Sequence, residues 1–180
     1  MKKCLKILVA VVSIPIVLLI VLLLSYIIVN QQGVIEPFQV GDPTSENQIL
    51  IASQGTEFKI KLVENLVEQL KGDQNYLSVI DCTTLGNEND KEWGTIIIIH
   101  TLQIHEMPEE AKAFLSEVED LSKVMLVSTS GAGDDKVESF EVDAISSASR
   151  NSAIPEIKKW VGEKLQKNLK TKLITLGNKN

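Results

Sequence analysis

Aromatic residues are scarce in this chain: Phe, Trp and Tyr together make up 4% of its 180 residues. That shortage excludes the ring platforms on which single-stranded nucleic acids stack, and it leaves few rings to hold a planar cofactor. Cysteine is scarcer still, with Cys4 and Cys82 alone, and Cys4 lies ahead of a long apolar run. There is no C-x-x-C pair, so neither a disulfide framework nor a cysteine zinc site is available, and Cys82 is expected in the core at the end of a buried strand. No Gly-x-Gly-x-x-Gly, Walker loop, Gly-x-Ser-x-Gly elbow or His-Glu-x-x-His is present either, which removes the common nucleotide, hydrolase and metalloprotease signatures.

What the chain does have begins with an uncharged run from Ile7 to Val29. At 1.5 Å per helical residue its 23 positions reach roughly 34 Å, enough for a bilayer core. The run is too long for the apolar core of a cleaved signal peptide, and Ser25 to Asn30 offers no small-x-small cleavage site. Lys2, Lys3 and Lys6 precede it, so the positive-inside rule puts the N-terminus in the cytoplasm and the rest outside, as a single-pass membrane protein. Of the 18 basic residues these three come before the run, leaving 15 against 24 acidic ones and a net charge of -9 beyond it. A domain so acidic does not seek nucleic acid. Seven lysines between Glu156 and Asn180 run the other way, as one solvated helix face.

Residues 1–30 therefore read as a cytoplasmic stub and anchor, 31–47 with Gly33, Pro37, Gly41 and Pro43 as a linker, and 48–180 as one domain. In that domain Gln48 to Ala52 is a short apolar run without alternation, which is the pattern of a strand buried on both faces. Ser53, Gln54, Gly55 and Thr56 follow, with Thr56 placed to cap a helix whose apolar residues are Phe58, Leu62, Val63, Leu66, Val67 and Leu70. The exposed amides of such a helix start favour an anion. Further strands are expected at Tyr76–Cys82, Gly94–Ile99, Lys123–Ser128 and Val142–Ile145, and further helices carry Ala111, Phe114, Leu115, Val118 and Leu121, then Ile154, Ile157, Trp160, Val161 and Leu165. The stretch between Thr83 and Trp93 is too short and polar for a full crossover helix. Strand, loop and helix in repetition predict a doubly wound five-stranded parallel sheet with its ligand loops at the carboxyl ends of the strands.

Over roughly Gln48 to Leu169 the chain resembles the flavodoxin-like family. The resemblance rests on the first strand, hydroxyl-bearing loop and helix, on His100-Thr101-Leu102-Gln103-Ile104-His105-Glu106-Met107-Pro108 with the helix after it, and on Ser128-Thr129-Ser130-Gly131. It implies flavin mononucleotide (FMN) at the strand ends, contacted by Ser53, Gln54, Gly55, Thr56, Thr101, Leu102, Ile104, Ser128, Thr129, Ser130 and Gly131, and electron transfer to a redox partner protein outside the cytoplasm. The phosphate loop is about two residues shorter than the family's Ser/Thr-x-Thr-Gly-x-Thr, Leu102 and Ile104 stand where rings flank the flavin, and a helix between the fourth and fifth strands is missing. These departures carry the alternative, a non-catalytic binding or interaction module on the same scaffold without FMN. The segment Val142 to Ser152 is also similar to the Asp-x-x-Ser-Gly-Ala-Thr-x-Thr-Ser sequence of domains that carry covalent FMN, with Ser149 in the acceptor's place; it reads first as a tight Ser-rich loop and N-cap region, with Arg150 able to meet a phosphate. His100, His105, Asp134 and Asp135 are the remaining polar candidates, and their spacing matches no metal site.

Overall fold

The computed structural model describes residues 2–30, 32–72, 74–103, 105–133 and 140–177, with side chains described for all of these except 2–10, 26–30, 169 and 171–177. It falls into two compact units, residues 1–32 and 33–180. In the first, helix α1 (Lys2–Asn30) runs for 29 residues through Pro15. Its side chains from Val11 to Ser25 are all exposed. Among the described residues no helix is long and apolar enough to cross a membrane.

The second unit is an α/β domain built on a six-stranded sheet. Its strands are β1 (Phe38–Val40), β2 (Asn47–Ser53), β3 (Asn75–Asp81), β4 (Thr95–Thr101), β5 (Val124–Ser130) and β6 (Asp143–Ala148), in the order β1-β3-β2-β4-β5-β6. Strands β2 to β6 pair in parallel, and β1 adds to the β3 edge in antiparallel register, Phe38 opposite Val79. The expected five strands are thus corrected to six, and the sixth lies in 31–47, the stretch read as a linker. Leaving β1 aside, the order is that of a flavodoxin-like sheet, in which the second strand in sequence flanks the first on one side and the third on the other.

Two cores result, one on each face. Ile49, Ile51, Leu77, Val79, Ile97, Ile99, Met125 and Val127 face α2 (Glu57–Leu70) and α4 (Ile154–Gly177). Leu50, Ala52, Ile80, Ile96, Ile98, Val124 and Leu126 face α3 (Glu109–Glu117), Cys82 and Leu85. The four isoleucines of β4 thus alternate between faces, and all four are fully buried. A β-branched side chain suits a pleat covered on both sides, and each contributes roughly 1.5–3 kcal/mol of burial. Cys82 is 1% exposed, as expected of a core thiol.

The connections decide where the crevice lies. From β2 the chain crosses to β3 through α2 on one face, and from β4 it crosses to β5 through α3 on the other. Between β3 and β4 there is no long helix, only two short 3-10 turns at Cys82–Asn87 and Asp90–Glu92; the stacking of Trp93 on Tyr76, 6.3 Å between centroids, closes that connection. The β5 to β6 passage has no helix among its described residues, and Phe140 and Val142 cover part of the second core instead. The switch in direction falls between β2 and β4, so their carboxyl ends frame the crevice.

Candidate ligand-binding site

Thr56 caps α2: its backbone is extended, and its Oγ1 accepts a hydrogen bond from Lys59 N at 3.4 Å. The rest of the loop is turned inward. Ser53 is fully buried, and its hydroxyl donates to the neighbouring Gln54 carbonyl at 3.0 Å. Gln54 reaches across the crevice, where its Oε1 accepts from Thr101 N at 2.8 Å. The same oxygen accepts from Lys59 Nζ at 3.0 Å, and Nζ also donates to Thr101 Oγ1. Thr101 Oγ1 lies 3.4 Å from Thr129 Oγ1, which in turn donates to the His100 carbonyl at 3.0 Å. One polar network therefore joins the ends of β2, β4 and β5.

Lys59 is the residue that the periodicity did not single out. It stands three positions before Leu62 and four before Val63, on the helix stripe that faces the sheet, and is 1% exposed. A lysine in the first turn of an apolar stripe is the signal that could have found it. Burial pushes its ammonium down to about 8, because removing a cation from water disfavours the charged form.

A strap from the domain's own N-terminal stretch covers the loop. Gly55 N donates to the Gly33 carbonyl at 2.6 Å, Val34 bridges Gln54 in antiparallel fashion, and Ile35 N donates to Asp81 Oδ2 at 2.9 Å. Asp81 is itself buried, and its Oδ1 holds Thr83 N and Oγ1 at 3.0 and 2.7 Å. The contact needs glycine on both sides. A Cβ on Gly55 would overlap the Val34 carbonyl, and one on Gly33 would sit 2.5 Å from the Gly55 oxygen.

Beyond the loop, the expected residues divide. Thr101, Ser128, Thr129 and Ser130 are brought together at the ends of β4 and β5, with Ser130 Oγ accepting from Gly133 N at 2.8 Å. Leu102, 6% exposed, packs into the second core and presents no flat face. Gly131 is exposed. Ile104, Asp134 and Asp135 lie outside the described residues. His100 and His105 part company: His100 is fully buried on β4, whereas His105 is exposed in a turn at φ 64°. Among the described residues no group of three His, Cys, Asp or Glu could hold a metal. Ser149 N pairs with the Ser130 carbonyl at 3.0 Å, so the serine-rich segment is the end of β6 and the turn into α4, while Arg150 is exposed.

For a phosphate-bearing cofactor the fit is partial. Lys59 offers a buried cation, and Thr56, Thr101 and Thr129 offer hydroxyls at the switch point, where an anion gains from the low dielectric. Against this, Gly55 N–H already serves Gly33, and residues 53–56, 100–103 and 128–133 contain no Phe, Tyr or Trp. The cradle fits an anionic group only with the strap displaced.

No family model and no curated protein matches the chain. Solved structures do resemble it at low similarity. A general stress protein 14 from Treponema denticola, in complex with FMN, is 10% identical with a TM-score of 0.39, covering 68% of this chain and 97% of that one. An azoreductase from Bacillus anthracis is 9% identical with a TM-score of 0.39, covering 69% and 98%. The azoreductase AzrA is 10% identical with a TM-score of 0.38, covering 69% and 98%.

Proposed function

We propose that this chain is a membrane-anchored flavodoxin-like protein whose crevice between β2 and β4 takes FMN and serves electron transfer outside the cytoplasm. The observation that carries the reading is the buried Lys59 ammonium beside the start of α2, at the switch point of a flavodoxin-like sheet. An anion placed there meets a cation already removed from water, and the helix start adds its partial positive charge. Support for FMN in particular comes from the resemblance of the loops after β2, β4 and β5 to those of flavodoxins. FMN, when bound, supplies the redox chemistry. The chain's part is to hold the phosphate with Lys59 and Thr56, and to set the ligand's surroundings with Thr101 and Thr129. The anchor rests on the uncharged run from Ile7 to Val29, and the outward placement of the domain on Lys2, Lys3 and Lys6. The test is the visible absorption of the full-length protein purified in detergent, followed by FMN titration. Flavin bands or saturable quenching of FMN fluorescence are expected, and failure of both removes the electron-transfer reading.

A second reading has its own observation. The hydrogen bond from Gly55 N to the Gly33 carbonyl fills with backbone what a phosphate would otherwise use. That favours a binding or interaction module whose crevice is permanently closed, since a fold does not fix a function.

A further inference from the structure

We infer that the strap Gly33–Ile35 is an autoinhibitory plug that competes with an anionic ligand for the Gly55 amide. This rests on the anion-binding reading proposed above and adds how that site is regulated. Four observations meet here. The Gly33 carbonyl accepts from Gly55 N at 2.6 Å, which is where an anion on the loop would be held. Val34 continues the contact by bridging Gln54, the residue whose side chain spans β2 and β4. Ile35 is 5% exposed in the first core, and its amide is pinned to the buried Asp81 carboxylate, so the strap has a built seat. Val34, in contrast, is 70% exposed between these two fixed points, so little apolar burial holds the middle of the strap down.

A carbonyl oxygen at the Gly55 amide supplies a neutral acceptor where a phosphate would supply a charged one. Charge-assisted hydrogen bonds are about twice as strong as neutral ones, so a phosphate can displace the carbonyl, at the cost of lifting the strap. The glycines make the contact adjustable by single atoms, because a Cβ on Gly33 would sit 2.5 Å from the Gly55 carbonyl oxygen and force strap and loop apart.

The test titrates inorganic phosphate and FMN, separately, into full-length wild type and Gly33→Ala in detergent, with hydrogen exchange at the Gly55 amide as an independent reading of the strap. In Gly33→Ala, faster exchange and about fivefold tighter phosphate binding are expected, the fold-change that corresponds to one competing hydrogen bond of ordinary net strength. Asp81→Asn, which loosens the seat of Ile35, should shift both readings in the same direction and stands in if Gly33→Ala does not fold. Tighter phosphate without any FMN binding supports the plug and removes the flavin reading. Equal affinity of wild type and variant for both probes, or no binding of either by any of the three proteins, overturns the plug.

Discussion

His100 Nε2 lies 3.0 Å from Ser128 Oγ across β4 and β5, while its Nδ1 has no hydrogen-bond partner among the described residues. Both residues are buried, at 0% and 1% exposure. One ring nitrogen is thus satisfied and the other is not, which suits a neutral imidazole and penalises a charged one. Burial accordingly pushes the imidazole down to about 4, the Thr101 backbone opposing the shift and the nearby Lys59 charge adding to it.

Stability should therefore depend on pH through His100. Well above the ordinary histidine value of about 6.5 neither folded nor unfolded chain carries the proton, and no penalty applies. As pH falls from there toward 4, the unfolded state takes up a proton that the folded state refuses, so stability is lost across that window, to a total of about 3 kcal/mol. Denaturant unfolding at pH 7 and pH 4.5, compared with His100→Gln, checks this: the wild type should lose more stability than the variant, and parallel losses would contradict it.

Lys59 predicts the opposite end of the scale. Its folded value is near 8, whereas an unfolded lysine holds its proton to about 10.4. Between these values the unfolded chain binds more protons than the folded one, so stability rises with pH from 8 to about 10.4. Lys59→Met should flatten the rise relative to wild type. A rise of the same size in both would place the titrating group elsewhere.

Core substitutions should separate from strap ones. Ile98→Ala removes a fully buried side chain and should cost about 2–5 kcal/mol. Val34→Ala, at 70% exposure, should stay within about 0.5 kcal/mol. Equal losses in chemical denaturation would mean that Val34 is covered in solution.

Topology gives a further expectation. In the proposed orientation, which places Lys2, Lys3 and Lys6 on the inner side, a protease added to intact cells should cut the domain that follows Asn30. Protection until lysis would reverse the orientation.

How much of this was legible in the sequence varies by element. The run Ile96–Ile99 announced a central strand because β-branched residues on both faces fit only a covered pleat. Thr56 announced its cap, and the short polar stretch after Cys82 announced a crossover without a helix. β1 was hidden for physical reasons. It has three residues, follows Pro37 and leaves Phe38 39% exposed, so it shows no periodicity and owes its existence to the β3 edge. Lys59 was hidden because a lysine on a helix is normally read as solvated. The pairing of Gly33 with Gly55 could not be read at all, since it joins two residues without side chains through a tertiary contact.

The proposed function stands on an anionic ligand held in the crevice by Lys59. Titrating FMN into full-length wild type and Lys59→Met in detergent, followed by flavin fluorescence, measures that contact. The variant should bind at least about tenfold more weakly, as expected when one hydrogen bond to a charged group is lost. Equal affinity in the two proteins, or no binding by the wild type, would contradict the claim.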